Sequence, residues 1–185
     1  MKKFGTAISL IGLVLIAVAL ATMAFGERSE SANNARPPFA LTDASPSAPA
    51  LIQRLLAALE RKDEATLHSL RMSEREYREI IAPGTVPPGQ PPRHTDDKVS
   101  QFYWRMLDSK SRDLGRELLY RFGGRKLDVG EVEYVKGPLE YAWYQALGQA
   151  RIHVKNEKGD EAIIPAGYVA EVDGQFKFIG LNWND

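Results

Sequence analysis

The chain has 185 residues, with 24 Lys+Arg against 24 Asp+Glu and no cysteine. That length suits one domain, and zero net charge excludes a broadly basic nucleic-acid binder. The missing cysteines exclude disulfides, thiolate metal sites, cysteine nucleophiles and lipid-modified cysteine.

Phe4 to Phe25 is a run of 22 uncharged residues behind Lys2 and Lys3. Its length predicts a membrane-spanning anchor, while Ala19-Leu20-Ala21 and Ala24-Phe25-Gly26 offer the small residues of a cleavage site. Both readings, anchor and cleaved signal over residues 1–26, stand at this point. Either way the remainder is exported if the two lysines stay in the cytoplasm, and that remainder has a charge of −2, from 22 Lys+Arg against 24 Asp+Glu. Glu27 to Ala50 is rich in Ser, Ala, Pro and Asn and reads as a disordered tether, placed at residues 27–48. Such a segment spans about 27 Å.

The folded domain is expected over residues 49–185. Leu51, Ile52, Leu55, Leu56 and Leu59 have helical spacing, with Pro49 in the first turn. Asp63 predicts the N-cap of a second short helix, and Ser73 with Glu76 forms a capping-box pattern that opens a third, stopped at Pro83. Pro83 to Arg93 holds five of the eleven prolines and reads as a stiff spacer loop. Thr95 or Asp96 caps a long helix in which Val99, Phe102, Tyr103, Met106, Leu107, Leu114, Leu118 and Phe122 form the apolar face. Gly123-Gly124 ends it.

Beyond Gly124 the period changes to two. Strands are expected over Leu127 to Val135, Tyr141 to Lys155, Glu161 to Val172 and Gln175 to Trp183, broken at Gly137-Pro138, Asn156 to Asp160 and Asp173-Gly174. A two-residue turn at Asp173-Gly174 pairs Val172 with Gln175, and a turn at Glu157 to Gly159 pairs Ile152 with Ile164. Strict alternation then puts Ala150, Ile152, Val154, Ile164, Ala166, Tyr168, Ala170, Ile179 and Trp183 on the inner face, with Lys177 at its edge. The outer face carries Arg151, His153 and Lys155 around an apolar centre of Ile163, Val169, Phe176 and Phe178. An apolar centre with a charged rim marks these four as interface candidates.

The fold class is therefore α+β, with N-terminal helices packed on a curved antiparallel sheet of about four strands, preceded by a transmembrane or signal helix. Two segments, ALIQRLLAALERKDEATLHSL at Ala50 to Leu70 and VAEVDGQFKFIGLNW at Val169 to Trp183, resemble the opening helices and closing hairpin of the nuclear transport factor 2-like superfamily. That resemblance implies a cone whose interior holds acid–base residues in its isomerase and dehydratase members. Tyr103, Trp104, Tyr168 and Trp183 are the ligand-pocket candidates.

No catalytic residue, metal ligand or cofactor is assigned. His68, His94 and His153 have no second ligand at metal spacing, and Arg105, Arg112, Arg116, Arg121, Arg125 and Lys126 are interleaved with acids as on a solvated, salt-bridged helix face. The functional expectation is a non-enzymatic, exported or membrane-tethered module that pairs with itself through the outer sheet face. The alternative is a small-molecule binder or isomerase using the cone interior. The partners expected are thus a second copy, a membrane through Phe4 to Phe25 if uncleaved, or a small molecule, and no nucleic acid.

Overall fold

The computed structural model describes residues 40–182. Phe4 to Phe25, most of the expected tether and Trp183 lie outside the described residues. Among the described residues no helix is long and apolar enough to cross a membrane.

Helix α1 (Ala48–Arg61) starts where the Ser47 hydroxyl accepts the Ala50 N–H, with Pro49 in the first turn. Leu51, Ile52, Leu55, Leu56 and Leu59 line one buried stripe. Lys62, in the left-handed region at φ 55°, reverses the chain into α2 (Glu64–Ser69), whose N-cap is Asp63. The Ser73–Glu76 capping box closes as expected on α3 (Glu74–Glu76). Pro83 does not stop the chain at once. The backbone widens into a π-helical turn (Tyr77–Ile81) and then forms one helical turn, α4 (Ala82–Gly84). A π turn accommodates a proline that lacks the usual N–H donor.

Helix α5 (Asp97–Phe122) is capped by Asp96 and runs unbroken through the polar stretch Asp108 to Asp113. Its buried face differs from the expected one. Ser100, Trp104, Ser111, Gly115, Leu118 and Phe122 turn inward, while Val99, Phe102, Tyr103 and Met106 are exposed. Only the second half of the apolar periodicity meets the core. The first half is rotated so that Trp104 packs on Tyr77, with ring centroids 5.7 Å apart.

The sheet comprises β1 (Leu127–Val135), β2 (Leu139–Glu140), β3 (Gln145–Asn156), β4 (Glu161–Val172) and β5 (Gln175–Phe178), all antiparallel, in the order β1-β3-β4-β5 with β2 also beside β3. Both expected pairings occur, Ile152 with Ile164 and Val172 with Gln175. Asp173 (φ 51°) and Gly174 (φ 74°) make the two-residue turn between β4 and β5.

What alternation missed is one extra residue in β4. Arg151 pairs with Pro165, but Gln149 pairs with Tyr168, so three steps on β4 face two on β3. The bulge centres on Gly167, at φ 83°, where a Cβ would lie 2.2 Å from the Gly180 carbonyl oxygen. Only glycine fits, and every side chain beyond it changes face. A compensating extra residue sits in β3 between Ala146 and Gly148.

Two clusters result. The main core joins α1, α2 and the second half of α5 to Ala150, Ile152, Val154, Ile164, Ala166, Val169 and Phe178. The second lies on the other face of the strand ends, where Leu41, Met72, Ile80 and Ile81 cover Ala146, Ala170, Val172 and Tyr168. Three outer-face expectations are thereby corrected. Val169 and Phe178 are fully buried in the main core, and Phe176 packs partly buried against it. Conversely, Tyr168, Ala170 and Ile179 leave the expected inner face for the second cluster. The packed chain also begins before residue 49. Leu41 is buried, and Ser45 exchanges backbone hydrogen bonds with Phe176.

Candidate functional site

The three ligand-pocket candidates among the described residues are not brought together. Trp104 is buried, Tyr103 is 55% exposed on another side of the same helix, Tyr168 is half-buried in the second cluster, and Trp183 lies outside the described residues. The centre of the helix–sheet interface is filled by Ile152, Ile164, Leu118 and Phe178, each fully buried.

Around Trp104 stands a group that sequence reasoning passed over. Arg71 is 6% exposed and ion-paired with Asp108, and its guanidinium lies 5.5 Å from the Trp104 ring centre. Asp108 also accepts from Arg112 Nε at 2.9 Å. Burial pushes the Asp108 carboxyl up, but hydrogen bonds and charge from Arg112 and Arg71 outweigh it and hold it below the usual carboxylate range. The Arg71 Nε and Nη1 groups are buried without a hydrogen-bond partner. The one signal in the sequence was an arginine between two apolar residues, Leu70 and Met72.

The open half of the outer sheet face carries a second arrangement. Beyond the reach of the second cluster, the strands β1, β3 and β4 border a concavity of about 650 Å³. Its exposed apolar side chain on this face is Ile163, 46% exposed, while Val129, 42% exposed at the β1 edge, pairs with buried Val154 and so belongs to the inner face. Asp128, Glu131 and Glu161 stand around it with His153 and Lys155. One extra residue in β1 between Val129 and Val132 brings Gly130 and Glu131 to its lining. Lys155 reaches Glu161 at 3.0 Å, across the pair that the hairpin register sets. His153 Nε2 is buried without a hydrogen bond, with Glu133 Oε1 3.4 Å away. Of the four interface candidates, Ile163 alone remains exposed here. Glu133 was missed because its distance to His153 depends on the β1 bulge.

The remaining histidines are separate. His68 Nε2 faces Glu64 at 3.3 Å one turn away, and His94 borders a cleft of about 250 Å³ with Arg93, Pro92 and Trp143 under the proline loop. Among the described residues no three His, Asp or Glu side chains stand together as a metal site. The second half of α5 is the salt-bridged face expected, with Arg112, Arg116 and Arg121 paired to Asp108, Asp113 and Glu117. No family model matches the chain, and no curated protein or solved structure shows significant similarity to it.

Proposed function

We propose that the chain is an exported or membrane-tethered, non-enzymatic module of the nuclear transport factor 2-like, cone-shaped kind, and that it pairs with itself through the open half of its outer sheet face. The observation that supports this best is the concavity at Ile163, an exposed apolar side chain ringed by both signs of charge. In a two-fold contact each patch meets its own copy, so a self-complementary patch needs both signs on its rim. The buried Val169 and Phe178 narrow the surface to this half. The uncharged run Phe4 to Phe25 supports the tethering. The test is Ile163→Glu in the full chain, with mass measured by light scattering. A dimeric wild type and a monomeric variant are expected, and a wild type that stays monomeric at every concentration removes the proposal.

A second reading rests on Arg71. Its two unpartnered N–H groups beside Trp104 suit the carboxylate of a small molecule. Calorimetric titration with small mono- and dicarboxylates, repeated on Arg71→Gln, tests it. Heat absent from the wild type dismisses it.

A further inference from the structure

Val99, Phe102, Tyr103 and Met106 follow the spacing i, i+3, i+4, i+7, so they share one face of α5. All four are exposed, by 44%, 59%, 55% and 45%. The helix is anchored from its other side by buried Ser100 and Trp104. This leaves an apolar stripe two turns long with nothing from the described residues packed over it.

The charges beside the stripe differ from those further along the helix. Lys98, Arg105 and Lys110 are exposed and, among the described residues, no acid pairs with them. The nearby Asp97 is held by Arg78 at 2.7 Å, and Asp96 is spent on the N-cap. In the second half, by contrast, each of Arg112, Arg116 and Arg121 has an acid within one turn. An apolar stripe flanked by unpaired basic side chains is the pattern of a helix that lies in a lipid–water interface.

We propose that the first half of α5 docks onto an anionic membrane surface, with the apolar stripe against the acyl boundary and Lys98, Arg105 and Lys110 on lipid headgroups. A second copy is the poorer occupant, because an isologous contact would set these cations near their own copies. The position of the stripe supports the same partner. Thr42, close to where the described chain begins, is hydrogen-bonded to Glu76 through its backbone N–H, and Tyr77, the next residue, packs against Trp104 of α5. The start of the described chain is therefore bonded to a residue one position from a side chain that packs on α5. Only 14 residues, Gly26 to Phe39, separate the uncharged run Phe4 to Phe25 from the described chain, so a bilayer that holds the run is covalently tied to this domain. The proposal takes from the preceding reading only that Phe4 to Phe25 brings the domain to a membrane. It is independent of self-association.

Because the chain has no cysteine, a single nitroxide can be placed without background. The full chain carrying Met106→Cys, or Tyr120→Cys as a control on the charged half, is reconstituted into vesicles of phosphatidylcholine with or without phosphatidylglycerol. Collision with oxygen and with a nickel chelate reads immersion in lipid. At Met106 the label should favour oxygen in the anionic vesicles only, and at Tyr120 it should favour the chelate throughout. Replacing Lys98, Arg105 and Lys110 by Glu should lower the docked-to-free ratio by about 100-fold or more, since each basic residue near the surface contributes about fivefold. Equal chelate access at Met106 and Tyr120 in anionic vesicles overturns the proposal. So does protection at Met106 that persists in detergent and grows with protein concentration, the sign of a protein partner. Alkaline extraction of the same vesicles reads the anchor separately: extraction with an immersed label removes the anchor and keeps the docking, and retention with a water-exposed label does the reverse.

Discussion

Lys177 on β5 points its ammonium at the carboxylate of Glu76 on α3, with Nζ 3.0 Å from Oε2 and 3.3 Å from Oε1. Both side chains are buried, 3% and 0% exposed. Every donor and acceptor is used. Lys177 gives its third hydrogen bond to the Thr42 carbonyl, and Glu76 accepts the N–H groups of Thr42 and Ser73. The capping box of a three-residue helix thus doubles as the joint between the start of the domain, its capped turn and its last strand. Two desolvated charges are tolerated there because each is fully hydrogen-bonded.

Removing one partner leaves the other charge buried and alone. Glu76→Ala should cost about 3–5 kcal/mol in chemical unfolding. Glu76→Ala combined with Lys177→Met should recover part of that loss, because the stranded ammonium is gone. A double variant no more stable than Glu76→Ala would deny the coupling.

The same joint sets an acid limit. Burial raises the Glu76 carboxyl, but the Ser73 and Thr42 N–H groups and the Lys177 ammonium outweigh it, so its folded pKa lies below the ordinary 4.5. Asp108 is depressed in the same sense. The unfolded chain therefore binds protons before the folded one does. The stabilisation is fully present above the ordinary carboxylate range and disappears as pH falls through the depressed folded values. Thermal midpoints should be flat from pH 7 to about 5 and fall below that. In Glu76→Gln, already weakened at neutral pH, the fall should be shallower.

Gly167→Ala should be among the most damaging single-methyl additions. The residue has φ 83° and its Cβ would meet the Gly180 oxygen at 2.2 Å. A cost of about 3 kcal/mol or more is expected from the combined strain and clash. Measured stability within about 0.5 kcal/mol of wild type would mean that the β4 bulge does not exist in solution.

The bulge also predicts how two large apolar residues on neighbouring strands differ. Phe178→Ala empties a fully buried position and should cost about 3–5 kcal/mol. Ile163→Ala, at an exposed site, should change stability by less than about 0.5 kcal/mol while weakening self-association. Similar costs for both would restore strict alternation and place the two residues on one face.

Local chemistry was legible in the sequence. The caps at Asp63 and Ser73, the apolar stripe of α1, the two-residue turn at Asp173-Gly174 and both hairpin registers follow from short-range hydrogen bonding and backbone sterics among residues a few positions apart, while the choice of Asp96 over Thr95 as the cap of α5 came from the structure. The α+β class followed from the change of period at Gly124. The tertiary structure alone decided which face each side chain serves. One extra residue at Gly167 exchanged Val169 and Phe178 with Tyr168 and Ala170, because side-chain direction in a strand has period two and a single insertion inverts it. Likewise the periodicity of α5 marked an apolar stripe but not its partner. Trp104, packed on Tyr77 beneath Arg71, holds the first half of the helix with Val99, Phe102, Tyr103 and Met106 turned outward, and contacts between residues so far apart in the chain leave no local pattern to read.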